Sequence, residues 1–265
     1  MIRKLTFILL ISLFLGGCSD YQKLLKSNDQ ELKYEKAIGY YNEGNYYRAL
    51  QLFDQVIPVY RGTDKAEDLF YHYAYCYYNQ NDYLMASYYF KRFAKNYPNS
   101  DKVEEAWYMS AYCTYMESPE YSLDPSNTKQ AIKELQSYIN RFPHSDSLDR
   151  CNVLIDNLNR KLELKIYDQG KLYFKTEDYD AATVTFNNLL KDYPDTEYRE
   201  EVLFKIMKSY YLYAKHSIYS KQAERYQMAV ESYDKLITFY PNTKKLKEAK
   251  EMHKKALHFL NNYKY

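Results

Sequence analysis

The chain has 265 residues, 37 of them basic and 35 acidic, a balance that excludes the basic excess expected of a nucleic-acid binder. Six glycines and seven prolines allow too few turns for a many-stranded sandwich or barrel and leave long helices joined by short connections. Thirty-five tyrosines against 12 phenylalanines and one tryptophan point to surfaces that are half buried and half wet, because the ring adds apolar area while the hydroxyl needs a partner.

At the N-terminus, Arg3 and Lys4 precede an apolar run from Leu5 to Leu15, interrupted only by Thr6 and Ser12. Eleven residues are too few to span a bilayer and suit the core of a secretory signal peptide. The junction Leu15-Gly16-Gly17-Cys18 resembles a bacterial lipobox, in which cleavage precedes the cysteine and its thiol and new amino group are acylated. The plainer alternative is cleavage near the glycines, with Cys18 left as an ordinary thiol. If lipidated at Cys18, the chain is anchored to a membrane without spanning it, and firm attachment takes more than one acyl chain. Residues 1–17 are thus expected to be a lipoprotein signal peptide and residues 18–30 a linker. Removing the signal leaves 35 charges of each sign. Ser19, in place of an aspartate after the cysteine, fits general sorting to the outer membrane.

Self-comparison organises the remainder. The phrase aromatic-Pro-polar-Ser/Thr occurs at Tyr97–Ser100, Phe142–Ser145, Tyr193–Thr196 and Tyr240–Thr243, with a degenerate copy at Tyr60-Arg61-Gly62-Thr63. Each proline is expected to stop one helix and each hydroxyl residue to N-cap the next. Upstream lie Asn45-Tyr46, Asp82-Tyr83 and Asp178-Tyr179, followed by Ala49 and Phe53, Ala86 and Phe90, and Ala182 and Phe186. A small and a large residue four apart share one helix face, so neighbouring helices interlock. Ala37, Ala74 and Ala111 recur every 37 residues, with Tyr34, Tyr71, Tyr108 and Tyr41, Tyr78, Tyr115 in step. This pattern resembles the tetratricopeptide repeat, a pair of antiparallel helices with a period of about 34 residues. The expected fold is all-α: a tetratricopeptide-like helical solenoid of about five helix pairs plus a C-terminal capping helix.

The intervals locate the irregularities. Ala37–Ala49, Ala74–Ala86 and Gly170–Ala182 are 12 residues apart, whereas Ala111–Ala131 is 20 and Met207–Ala229 is 22. The surpluses place insertions around Ser118–Thr128 and Ser217–Arg225. Leu148 through Ile166, with neither Gly nor Pro, reads as the extension of one long helix that separates repeats one to three (31–145) from the segment 146–265 with repeats four and five. Lys244 to Asn262 reads as the terminal helix that covers the last apolar face. Thr243–Tyr265 carries seven lysines against two glutamates, which suits either a solvated cap or contact with an acidic partner or lipid headgroups.

Catalysis finds no support. The histidines His72, His144, His216, His253 and His258 are scattered, and there is no H-E-x-x-H, P-loop, G-x-G-x-x-G or G-x-S-x-G, so no enzyme activity, cofactor or metal is expected. Glu104-Glu105 and Glu200-Glu201 complement helix N-termini. Cys76, Cys113 and Cys151 form no C-x-x-C. Equivalent residues on packed helices lie about 8–10 Å apart, beyond the roughly 7 Å between α-carbons that a disulfide tolerates, so Cys76 and Cys113 are expected as buried thiols. By tetratricopeptide convention, the peptide-binding groove of repeats one to three would be lined by Tyr34, Tyr41, Asn42, Tyr71, Tyr75, Tyr78, Asn79, Tyr108, Tyr112 and Tyr115. Such a surface suits an extended peptide with aromatic or apolar side chains; alternatively, many of these rings pack between helices. The corresponding positions of repeats four and five are Tyr167, Lys171, Phe174, Phe204, Lys208 and Tyr211, which points to a different partner there.

A lipobox followed at once by five such repeats, with a long helix after the third, resembles the BamD family of outer-membrane protein assembly lipoproteins. Tyr71–Ser100, Ala106–Gln136 and Leu162–Thr196 carry the resemblance most specifically. It implies a non-catalytic lipoprotein of the outer membrane facing the periplasm, anchored by its lipid, that contacts unfolded β-barrel precursors through its N-terminal repeats. It also implies docking on the barrel-forming assembly protein through the C-terminal repeats. The alternatives are a tetratricopeptide lipoprotein that coordinates another envelope machine such as peptidoglycan synthesis, and a glycan-binding surface lipoprotein.

Overall fold

A computed structural model describes the backbone from Gly16 to Tyr263 and the side chains from Asp20 onward. The signal peptide and the acylated Cys18 side chain expected from the sequence lie outside the described residues. Twelve α-helices and no strands occur among these residues: α1 Gly16–Lys26, α2 Gln30–Asn42, α3 Tyr46–Tyr60, α4 Asp64–Asn79, α5 Tyr83–Asn96, α6 Val103–Met116, α7 Ser126–Arg141, α8 Leu148–Lys175, α9 Tyr179–Asp192, α10 Arg199–Lys215, α11 Tyr219–Phe239 and α12 Leu246–Asn262. The fold is all-α and built of tetratricopeptide-like helix pairs. Two compact units emerge, one comprising residues 1–119 and 125–155 and the other residues 120–124 and 156–265.

In the first unit, the hairpins α2/α3, α4/α5 and α6/α7 follow in chain order, each helix packed on the next. The repeat alanines explain the close approach: Ala37, Ala49, Ala74, Ala86, Ala111 and Ala131 are all buried, and Phe53 and Phe90 fill the space opposite them. The first two hairpins each turn on one left-handed residue, Gly44 at φ 76° and Asn81 at φ 61°, conformations that Gly and Asn adopt at least cost. The residue immediately after it then caps the second helix, since the side chains of Asn45 and Asp82 accept from the backbone N–H groups of Arg48 and Met85.

The second unit repeats the scheme with the C-terminal part of α8 against α9, then α10 against α11, and α12 over the end. Glu177 takes the left-handed position at φ 63° and Asp178 caps α9 through Ala181 N–H. Here a glycine, Gly170, replaces the repeat alanine and meets the fully buried Phe186 ring face. Helix α8 runs 28 residues, as its unbroken sequence pattern requires.

The four proline phrases form one recurrent device. Tyr97, Phe142, Tyr193 and Tyr240 end their helices by donating a backbone N–H to the carbonyl four residues back. The hydroxyls of Ser100, Ser145, Thr196 and Thr243 then accept from the N–H two residues on, at 3.0 to 3.2 Å. They cap a leading turn and not the helix itself, so the direct N-cap expectation is corrected: Lys102, Tyr198 and Lys245 occupy the cap positions with no side-chain cap bond. Each hydroxyl also finds a carboxylate on the first helix of its hairpin. Ser100 donates to Glu67 at 2.6 Å, Thr243 to Glu200 at 2.6 Å, and Thr196 to Glu163. Ser145 reaches Glu104 through the Tyr138 hydroxyl.

Two further expectations change. Much of the stretch 18–30, read as a linker, is helix α1, whose Tyr21 is buried. The insertion around Ser217–Arg225 is mostly helical: it lengthens α11 to 21 residues at its N-terminal end. Arg225 fixes that extension by donating to the Tyr213 hydroxyl at 2.8 Å while lying over the Tyr213 ring. The other insertion, between Met116 and Ser126, is a non-helical loop that carries Pro119 and Pro125.

Candidate functional site

Along α2, α4 and α6, the first helices of the first unit, the tyrosines expected to line a groove form a connected aromatic face. Tyr41 meets His72 at 4.6 Å between centroids, Tyr71 meets both His72 and Tyr75, and Tyr75 meets Tyr78 at 6.1 Å. Tyr78 continues to Tyr112 at 6.4 Å, and Tyr108, Tyr112 and Tyr115 stack nearly parallel at 6.0 Å spacing. All these rings are half-buried, so they pack on the helices with one part and present the rest. Tyr75, for example, sits edge-on to the fully buried Phe90 ring at 4.8 Å. Asn42 and Asn79 are exposed at the helix ends, and the Asn79 amide donates to the Tyr75 carbonyl at 2.9 Å.

Tyr34 stands somewhat apart. Its ring packs at 5.6 Å from Tyr60, with the Lys65 ammonium 4.6 Å from its centroid, while Lys65 pairs with Glu31 at 2.7 Å. The same arrangement recurs one repeat on: Lys102 lies 4.7 Å from the Tyr71 centroid and pairs with Asp68 at 2.9 Å. Glu105 continues the acidic series and accepts from the Tyr75 hydroxyl. Glu31, Asp68 and Glu105 are 37 residues apart, as are Lys65 and Lys102. That spacing was available in the sequence, but a search for groove tyrosines passes over the charges that orient them.

Burial pushes the Tyr41 hydroxyl up to about 12. Tyr71 and Tyr75 are raised further, first by burial and then by the Glu105 carboxylate, and burial raises Tyr78 and Tyr108 as well. The face therefore stays uncharged over its tyrosines and offers hydroxyl donors. At its far end, Tyr108 borders a cavity of about 460 Å³ that Glu104, Glu105, Tyr138 and Arg150 also line, and an apolar hollow of about 390 Å³ beside Val153 and Leu154. Among the described residues no group of three His, Cys, Asp or Glu side chains is placed to hold a metal. Cys76, Cys113 and Cys151 are buried and free.

The positions expected to dock a partner in the second unit are divided. Tyr167 and Phe204 are buried: Tyr167 stacks on Tyr198 at 4.1 Å, and Phe204 joins the core with Met207 and Leu236. They support the surface from below. Lys171 is exposed and pairs with Asp168 at 3.0 Å, Phe174 is half-buried under Lys205, Lys208 pairs with Glu248 at 2.6 Å, and Tyr211 packs on Tyr226. Sequence spacing did not reveal the strap beside them. Lys165 donates to the carbonyls of Ser122 and Leu123 at 3.0 and 2.9 Å, and Tyr121 donates to Asp168 at 2.9 Å. This fastens residues 120–124 to α8 and leaves Leu123 and Leu172 exposed.

The outer membrane lipoprotein family YfiO matches residues 26–225, which include every aromatic of both candidate surfaces. The chain belongs to that family. It is also 26% identical over 87 residues to the outer membrane protein assembly factor BamD of Caulobacter vibrioides, a match covering 33% of this chain and 28% of that protein. The match thus spans less than a third of the curated relative's length. Among solved structures, a tetratricopeptide-repeat protein of Bacteroides fragilis is similar at 15% identity and a TM-score of 0.39, over 88% of this chain and 100% of that one. The P58(IPK) tetratricopeptide domain is similar at 15% identity and a TM-score of 0.41, over 91% and 68%. No described helix is long and apolar enough to cross a membrane.

Proposed function

We propose that this YfiO-family protein is a non-catalytic subunit of the machinery that assembles β-barrel proteins in the outer membrane, anchored through acylated Cys18 and facing the periplasm. The continuous tyrosine face of α2, α4 and α6 carries the proposal. Its rings follow one another at 5.0 to 6.4 Å, close to the roughly 6.6 Å between alternate residues of an extended strand. Successive apolar side chains on one side of an unfolded barrel segment therefore find successive rings, while the hydroxyls serve the peptide backbone. Lysines pair two of the three flanking carboxylates, Glu31 and Asp68, while Glu105 accepts from Tyr75, so the face carries little net charge, which suits clients of mixed charge. Lys171, Phe174, Lys208 and Tyr211 are proposed to dock the barrel-forming assembly protein.

The test is photo-crosslinking of the lipidated protein to a barrel precursor, with Tyr75, Tyr78 and Tyr112 changed to alanine. Crosslinking should fall by tenfold or more while helical circular dichroism is retained. Undiminished crosslinking refutes the role of the face. Recovery of cell-wall synthases without an outer-membrane barrel protein in a pull-down refutes the assignment to barrel assembly.

A further inference from the structure

The lipidated cysteine of the proposed function is followed by almost no slack. Helix α1 begins at Gly16 in the precursor, and by Tyr21 the chain is already fastened to the first repeat. The Tyr21 hydroxyl shares its one proton between the Arg48 carbonyl at 3.0 Å and the Gln51 side-chain oxygen at 2.9 Å, its ring packs edge-on to Tyr40 at 5.6 Å, and the Arg48 guanidinium lies about equally over the Tyr21 and Tyr40 rings. Leu24 and Leu25 pack against the same core. Only three residue steps, from position 18 to position 21, separate the acylation site from this buried ring. At full extension they reach about 10 Å, and as helix about 5 Å. Between Cys18 and Tyr21 lie only Ser19 and Asp20, and Asp20 already pairs with Lys23 of α1 at 3.1 Å.

From this placement we infer that α1 is a rigid bracket, which seats the first repeat directly on the lipid surface instead of suspending it from a mobile leash. The exposed chemistry beside the bracket fits a phospholipid interface. Tyr47 is 65% exposed one residue before the Arg48 that holds Tyr21. Leu24 and Leu32 line a cavity of about 440 Å³ between α1 and α2, together with Lys36 and the Lys23–Asp20 ion pair. Aromatic rings and lysines over an apolar floor are the side chains that settle at the headgroup level. The inference rests on acylation at Cys18.

The experiment attaches a fluorophore to repeat one through Glu43→Cys, an exposed site, in the acylated full-length protein reconstituted into phospholipid vesicles with an acceptor dye on the headgroups. The native Cys76, Cys113 and Cys151 are buried and escape labelling. A bracket predicts efficient transfer with a narrow distance distribution. Ten Gly/Ser residues inserted between Ser19 and Asp20 form a coil of roughly 17 Å root-mean-square span, and this should lower transfer at least twofold and broaden the distribution. Tyr21→Ala, which frees α1, should do the same in part, and all forms should float with the vesicles. Equal transfer with and without the insert would overturn the bracket while leaving the lipoprotein intact. Failure of Cys18 to take up acyl label would overturn the anchor itself, and the bracket with it.

Discussion

Changing Gly170 to alanine sets two physical effects against each other. In a helix interior the substitution gains about 1 kcal/mol of helix propensity. Here, however, the added Cβ would stand 2.5, 2.7 and 2.9 Å from three carbons of the Phe186 ring, where relaxed carbon pairs keep about 3.5–4.0 Å. Phe186 has no exposed surface, so the ring has nowhere to swing. Forcing a methyl into a filled core costs about 1–3 kcal/mol, and a shift of about 1 Å by a whole ring belongs in the upper half of that range. The net expectation is a loss of about 1–2 kcal/mol, or a melting point lower by about 3–6 °C for a chain of this size. Thermal and urea unfolding of the unlipidated Cys18→Ser form, followed by circular dichroism, measures it. A melting point equal to or above that of the parent refutes the reasoning. So does additivity in the double variant with Phe186→Leu, because a smaller partner should accept the methyl and give a favourable coupling of about 1 kcal/mol or more.

Four other outcomes can be checked. Thr196→Val and Thr243→Val each remove a hydroxyl that joins a carboxylate to a leading turn, and each should cost about 1–2 kcal/mol, with serine restoring most of it; the two effects should add, which urea titration tests. The Asp168 carboxyl is held below its ordinary value of 3.8 by Lys171 and Tyr121. The stabilisation from a depressed carboxyl is complete above the unfolded value and disappears as pH falls through the folded one. The protection of residues 120–124 against hydrogen exchange, taken relative to the intrinsic rate at each pH, should therefore hold down to about pH 4 and fall below it, and Asp168→Asn should abolish the step. Burial pushes the Cys76 and Cys113 thiols up to about 12 and Cys151 up to about 11, so alkylation at pH 8 should proceed only as fast as the protein opens, and a rapid phase in native buffer would contradict their burial. Tyr75→Phe, which keeps the ring and loses the bond to Glu105, should retain most precursor crosslinking, whereas Tyr75→Ala should not.

The helix pairs were legible because their cause is local and periodic. A small residue four before a large one, a left-handed turn and a proline stop each act within a few residues, so Ala37, Ala74 and Ala111 betray the scheme by recurrence alone. Partners a whole repeat apart were harder to see. Glu67 meets Ser100 and Glu163 meets Thr196 across 33 residues, yet Glu200 meets Thr243 across 43, because an insertion lies between them and erases the common offset. The candidate face was legible as a set of positions, since first-helix spacing says which residues share a side. Spacing does not say how far a ring tilts into its neighbours, and so it did not separate buried Tyr167 and Phe204 from exposed Lys171 and half-buried Phe174, Lys208 and Tyr211. Helix α1 escaped notice for a different reason: its docking depends on Tyr21 finding Arg48 and Gln51, single contacts that no period announces.

The hydroxyl-to-carboxylate latches have a consequence for how such a protein changes over generations. Each one joins the first helix of a hairpin to the leading turn of the helix that follows the hairpin, so these four seams have a carboxylate upstream and a hydroxyl downstream, bonded directly or, at Ser145, through Tyr138. A segment copied or deleted between two seams therefore leaves ends that already match, and the chain rejoins without inventing a new contact. Along these seams the array behaves like track with matching couplings, and its length is open to selection while its joints stay fixed.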